Sequence, residues 1–159
     1  MRQFLAAAAV AASLCCLAAP ANAQMVSPTN PEQILAAAKE AGLENGRLIT
    51  SADDNPYIEA FHNDMKTLLL FMNCDDDHKH CKTMQYYLGF NDAENVTTEK
   101  LNTWNREKRF ARAYLDSVGD PVIEMDVDMD FDGLPRVNVV ESLNTWQALI
   151  DAYRSHLYE

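Results

Sequence analysis

The sequence is poor in glycine and in basic residues, and each shortage excludes a class of function. Only 5 glycines occur among 159 residues, and no glycine-rich loop of the kind that cradles a phosphate group is present. Lysine and arginine together number 13 against 24 acidic residues, which gives a formal net charge of −11. Because nucleic acids and anionic membranes are bound by basic surfaces, we expect neither as a partner.

Residues arranged for catalysis are also missing. No serine after residue 23 lies in a glycine-flanked elbow, and the 4 histidines fall in predicted turns or near the C-terminus. The acidic run from Asp126 to Gly133 begins like a calcium loop if Asp128 takes the first position. The twelfth position would then be Val139, where a bidentate glutamate is needed. We therefore expect an exposed strand here, with Asp126, Asp128 and Asp130 on one side and Val127, Met129 and Phe131 pointing inward on the other. We expect no enzymatic activity and no cofactor.

The N-terminal segment predicts export. After a positively charged start, residues 4–19 form an apolar run that only one serine interrupts. Ala21-Asn22-Ala23 then provides the small residues that signal peptidase requires, so we expect cleavage between Ala23 and Gln24. Spanning a bilayer takes about 20 apolar residues, so this run is too short for an anchor. Residues 1–23 are thus predicted to be a secretory signal peptide, and the mature protein to be periplasmic or secreted without a membrane anchor.

Two of the 4 cysteines lie inside that segment, which leaves Cys74 and Cys81 in the mature chain. An even pair in an oxidising compartment favours a disulfide, here across the neck of a predicted hairpin. The loop between them holds three aspartates and two histidines, so a metal site is an alternative, although six intervening residues and the lack of a second cysteine pair disfavour zinc. Redox-active free thiols are a third interpretation.

Hydrophobic periodicity and turn signals predict an α+β domain with helices flanking a small antiparallel sheet. We expect residues 24–30 to form a flexible lead, and residues 67–72 to form a central strand buried on both faces. The order is helix, strands, helix, two strands and a long helix. In sequence these are a helix at 31–41, strands at 47–51, 57–61, 67–72 and 82–90, a helix at 97–108, strands at 110–117 and 121–129, and a helix at 137–157.

The last helix carries one apolar stripe at three- and four-residue spacing. This stripe would either dock on the domain's own sheet or form the seam of a homodimer. The two tryptophans, Trp104 and Trp146, are expected to be core anchors of their helices rather than ligand platforms. The residues of the stripe are Leu143, Trp146, Ile150, Tyr153 and Leu157.

Several segments together resemble the YbjN family of bacterial proteins. The similarity covers residues 31–157, and its most specific parts are the motifs Asn102-Thr103-Trp104-Asn105 and Arg109-Phe110-Ala111-Arg112-Ala113-Tyr114-Leu115-Asp116. Further segments that carry the resemblance are Phe71-Met72-Asn73-Cys74, Gln85-Tyr86-Tyr87-Leu88-Gly89-Phe90, Gly119-Asp120-Pro121 and Glu124-Met125-Asp126.

The resemblance implies a single YbjN-like domain over residues 31–159, with a fold similar to that of type III secretion chaperones. It implies a regulator of sensory transduction or a chaperone-like module that binds another protein, and it supplies no catalytic or cofactor-binding residue. The partner that we expect is an unidentified protein, with a homodimer as an option. An exported member would have to act from outside the cytoplasm. The alternative function is a periplasmic metal-binding or redox-sensing protein that uses the loop between Cys74 and Cys81.

Overall fold

The computed structural model describes residues 24–52, 55–77, 79–91, 93 and 95–158. The predicted signal peptide lies outside the described residues, and so does Ala23 at its predicted cleavage site. Three helices and eight strands occur in the part that is described. They are β1 (Met25–Val26), α1 (Pro31–Glu40), β2 (Glu44–Thr50), β3 (Pro56–His62), β4 (Met65–Met72), β5 (Thr83–Gly89), α2 (Thr98–Glu107), β6 (Arg112–Leu115), β7 (Pro121–Asp128), β8 (Leu134–Pro135) and α3 (Arg136–Tyr158).

Six strands form one antiparallel sheet in the order β2-β3-β4-β5-β7-β6, and β1 pairs with β8 in a separate two-stranded sheet. The strands from β2 to β5 follow one another as a meander, because short turns allow neighbouring strands to pair antiparallel. The chain then passes through α2 to the far edge before β7 returns to pair with β5. The predicted α+β class is confirmed.

The helices cover one face of this sheet. Trp146 of α3 is fully buried, and its indole nitrogen donates a 2.9 Å hydrogen bond to the hydroxyl of Thr67 on β4. The ring of Tyr86 on β5 lies 6.1 Å from that of Trp146. Gln147 donates to the carbonyl oxygen of Ala41 at 2.9 Å, which ties α3 to the end of α1.

The predicted apolar stripe of α3 docks on the chain's own sheet. Its five residues are 0 to 6% exposed, so their side chains supply core contacts rather than an open dimer seam. Burying one large apolar side chain stabilises the folded state by about 1.5 to 3 kcal/mol. Trp104 of α2 is also fully buried, and its ring meets that of Tyr153 edge-on at 4.9 Å. Both tryptophans are therefore core anchors, as predicted.

Part of the segment expected to form a flexible lead, residues 24–30, is paired as strand β1. Met25 and Val26 pair with Pro135 and Leu134, and Val26 is fully buried. The pairing depends on a glycine, because a Cβ at Gly133 would lie 2.2 Å from the carbonyl oxygen of Val26. Two short strands far apart in sequence give no periodic signal, so the sequence alone did not reveal this contact.

Two predicted strand orientations were wrong. β4 is buried on one face only, since Leu69 is fully buried whereas Leu68 and Leu70 are partly exposed. Phe131 was expected to point inward with the buried Met129, but it is 91% exposed. Its φ of 60° breaks the strand alternation just after β7 ends at Asp128.

Candidate functional site

The face of the sheet opposite the helices is the candidate recognition surface, and we call it the open face. Residues paired across strands share a face, and the register places Tyr57 opposite Leu70 and Leu70 opposite Gln85. All three side chains are partly exposed, whereas their chain neighbours Ile58 and Leu69 are fully buried beneath the helices. The apolar and aromatic members of the open face are Ile49, Tyr57, Phe61, Leu68, Leu70, Met72, Tyr87 and Tyr114.

One row of side chains crosses the open face from edge to edge. An arginine–glutamate pair lies at each end of the row, with a leucine and a tyrosine between the pairs. Apolar side chains flanked by charged groups are typical of surfaces that bind another protein. In strand order the row is Arg47, Glu59, Leu68, Tyr87, Glu124 and Arg112.

The pair at the β6 end is centred on a buried carboxylate. Glu124 is 3% exposed, and its carboxylate accepts hydrogen bonds from the Arg112 guanidinium and, at 3.0 Å, from the Tyr114 hydroxyl. Burial of the phenol, together with the hydrogen bond to Glu124 and its charge, raises the pKa of Tyr114 to about 12. Partial burial also raises the pKa of Tyr87, and the carboxylates of Asp116 and Glu124 add to that shift. Both tyrosines are therefore neutral hydrogen-bonding groups at physiological pH.

The pair at the β2 end is more open to solvent. Arg47 donates to Glu59 at 2.5 Å, and the ammonium of Lys66 lies 3.8 Å from the other oxygen of the same carboxylate. The hydrogen bond from Arg47 lowers the pKa of Glu59, so this carboxylate stays charged at neutral pH. Because the Arg47 side chain is 67% exposed, it is also able to reach a group on a partner.

The cysteine pair lies just beyond the ladder of β4 and β5. The sulphur atoms of Cys74 and Cys81 are joined as a disulfide at the neck of that hairpin, two residues past the paired residues Met72 and Thr83. With both sulphurs bonded to each other, neither is available as a thiolate ligand for a metal. Inside the loop, His80 lies 2.6 Å from the carboxylate of Asp75, and this contact lowers the pKa of Asp75.

The proposed ion sites find no support in the described residues. In the part of the chain that the structure describes, no three histidine, cysteine, aspartate or glutamate side chains lie close enough together to hold a metal ion. Val139, which would occupy the last position of a calcium loop, is fully buried on α3. The carboxylate of Asp128 instead accepts a hydrogen bond from the backbone N–H of Asp130 at 3.0 Å, so it serves the local turn.

Sequence reasoning did not identify the open face. Leu68, Leu69 and Leu70 form a continuous apolar run, and such a run predicts a strand buried on both sides. The signal that could have revealed the face lies in the neighbouring strands. On β3 the charged Glu59 and on β5 the polar Gln85 alternate with buried residues, as expected for strands with one solvated face.

No helix among the described residues is long and apolar enough to cross a membrane. Comparison with known proteins identifies the family of the chain. No curated protein matches the chain. The family model of YbjN, described as "Putative bacterial sensory transduction regulator", matches residues 30–159. That match takes in all three helices and the whole six-stranded sheet, and the chain therefore belongs to the YbjN family.

Proposed function

We propose that the mature chain is an exported, non-enzymatic regulatory module that recognises another polypeptide through the open face of its sheet. The observation that carries the proposal is the one-sided arrangement of the fold. All three helices pack on one face, while partly exposed leucine and tyrosine side chains line the other. Burying such side chains against a partner contributes about 25 cal/mol for each Å² removed from water.

Three further features support a protein partner over a small molecule. The apolar and aromatic side chains of the open face are spread over five of the six strands, which suits a large contact area rather than one small ligand. Arginine and tyrosine are enriched in protein interfaces. Arginine lies at both ends of the open face, and tyrosine lies on three of its strands. The family description names a regulator and no enzymatic activity.

Two features support export, the N-terminal sequence and the cysteine pair. The apolar segment 4–19 and the Ala21-Asn22-Ala23 site form a secretory signal, and a disulfide between Cys74 and Cys81 suits an oxidising compartment. Regulation from that compartment requires contact with another protein, because the mature chain would be separated from cytoplasmic targets.

Capture of partners from periplasmic extract tests the proposal. Leu70→Gln removes apolar surface from the centre of the open face, and Val137→Gln is the matched control, because Val137 is 71% exposed on α3. We expect the wild-type chain and the Val137→Gln variant to retain the same protein and Leu70→Gln to lose it. Retention by all three chains, or stoichiometric zinc or copper in place of any partner, would contradict the proposal.

A further inference from the structure

The two edges of the six-stranded sheet differ in whether their outward backbone groups are already paired. β6 forms one edge and β2 the other. An edge strand carries unpaired N–H and C=O groups, and these are a template for pairing with another chain. The residues whose backbone groups point outward follow from the hydrogen-bond register, because these groups alternate along an antiparallel strand.

The β6 edge is closed by a side chain. The N–H of Asp116 bonds to the carbonyl of Asp120 at 2.9 Å, so the backbone groups of Asp116 point to β7. Ala113 lies three residues away, so its backbone N–H and C=O groups point outward. The amide of Asn105 on α2 donates to the Ala113 carbonyl at 2.9 Å and accepts from the Ala113 N–H at 2.8 Å. Asn105 thereby reproduces the two bonds that an added strand would make, and it blocks that edge.

The β2 edge has no such cover. The N–H of Ser51 bonds to the carbonyl of Asn55 at 2.9 Å. The backbone N–H and C=O groups of Ser51 and Ile49 therefore point to β3, whereas those of Leu48 and Thr50 point outward. Pro56, which has no N–H, lies opposite Thr50, as this alternation requires. Among the described residues, no strand or side chain pairs with the outward groups of Leu48 and Thr50.

The first half of β2 is irregular, whereas its second half is a regular strand. A register shift lies between Glu44 and Arg47, and Asn45 within it has a φ of 51°. Such bulges disrupt strand addition. From Arg47 to Thr50 the register with β3 is continuous. The segment left open for pairing is therefore short and lies at the C-terminal end of the strand.

Acidic groups and a cavity lie beside this open segment. Thr50 lines a cavity of about 630 Å³ together with two prolines, Pro28 and Pro31, two aspartates, Asp76 and Asp77, and the basic residues Lys79 and His80. A residue paired opposite Thr50 would place its side chain on the same face as Thr50, which is the side of this cavity. With the histidine neutral, two aspartates against one lysine leave the lining negative. In a chain of net charge −11, this charge favours a basic side chain.

We propose that β2 accepts an extended, basic segment of a partner polypeptide as a seventh strand of the sheet. The backbone of the segment pairs with Leu48 and Thr50, and a lysine or arginine of the segment enters the cavity near Asp76 and Asp77. This inference rests on the proposed function and specifies the mode of recognition, which combines backbone hydrogen bonds with side-chain pockets.

A proline substitution at Thr50 tests directly whether a partner segment pairs with β2. Thr50→Pro removes the outward N–H but breaks no bond to β3, and proline is tolerated on edge strands in that orientation. Thr50→Val is the matched control, because it keeps the N–H. The probe is a phage-displayed library of random ten-residue peptides selected on the mature wild-type chain, with the tightest binders synthesised and their affinities measured for each variant. Thermal unfolding of both variants checks that the fold is intact.

We expect selected peptides rich in lysine and arginine, an affinity at least tenfold weaker for Thr50→Pro, and an affinity within about twofold of wild type for Thr50→Val. The amides of Leu48 and Thr50 should exchange hydrogen more slowly when a peptide is bound. Equal affinity for Thr50→Pro, protection confined to β6, or a library without binders would overturn the inference. A peptide-free dimer that Thr50→Pro dissociates would overturn it too, since a second copy would then occupy the edge.

The failure of this mode can be told apart from failure of the proposed function. If the partner retained from periplasmic extract binds Thr50→Pro as well as wild type but is lost by Leu70→Gln, strand addition is wrong and recognition through the open face stands. If Leu70→Gln also retains the partner, the open-face proposal fails.

Discussion

Removal of the disulfide should destabilise the fold by a calculable amount. The bond between Cys74 and Cys81 spans a sequence separation of 7, so it closes a loop of about 8 residues. In the chain-entropy model, the cross-link removes about 8 cal/mol/K from the unfolded ensemble, which corresponds to about 2.5 kcal/mol at 25 °C. A Cys74→Ser, Cys81→Ser double variant should therefore lose about 2.5 kcal/mol of unfolding free energy.

Urea denaturation followed by tryptophan fluorescence measures this loss, since both tryptophans are fully buried. With a denaturant slope of about 1 to 3 kcal/mol/M, the midpoint should fall by roughly 0.8 to 2.5 M. The ladder of β4 and β5 and the bond from the N–H of Lys82 to the carbonyl of Met72 at 3.1 Å remain, so the hairpin itself should persist. Equal midpoints for the wild type and the double variant, or two free thiols in the exported protein, would refute the reasoning.

Three further substitutions test the packing around the sheet. Arg112→Ala leaves the carboxylate of Glu124 buried without its cationic partner. The free energy of unfolding, measured by urea denaturation, should fall by about 1 to 3 kcal/mol. An unchanged free energy of unfolding would contradict the pairing. Gly133→Ala places a Cβ against the carbonyl of Val26 and should release β1, seen as faster proteolysis near the N-terminus of the mature chain, whereas unchanged proteolysis would contradict the contact. The raised pKa of Tyr114 means that the folded state holds the phenol proton more tightly than the unfolded state does. The free energy of unfolding should therefore fall as pH rises from about 10 towards 12. This fall should be shallower in Tyr114→Phe, and an identical pH profile in the variant would contradict the assignment.

Most of the element order could be predicted because it depends on local patterns. The three- and four-residue spacing of Leu143, Trp146 and Ile150 predicts a helix and the face that it buries. The predicted α2 also carries its own start signal, since Thr97 accepts a hydrogen bond from the N–H of Lys100 at 3.3 Å. These signals lie within a few residues of one another, so the sequence displays them directly.

Long-range pairing could not be predicted in the same way. β1 and β8 contain two residues each and lie more than 100 residues apart, so neither has a period that marks it as a strand. The same limit applies to Asn105, because its hydrogen bonds to Ala113 become apparent only after α2 is placed against β6. The candidate surface depends on such contacts, whereas the disulfide could be inferred from the single pair of cysteines that remains after the predicted signal peptide.

The open face is the central claim, and site-specific photo-crosslinking in the periplasm tests it most directly. Benzoylphenylalanine is placed either at Tyr57, which is partly exposed on the open face, or at Val137, which is 71% exposed on α3. The account predicts a covalent adduct with another protein from position 57 after irradiation and none from position 137. An adduct from position 137 alone would show that the partner binds the helical layer and would contradict the account.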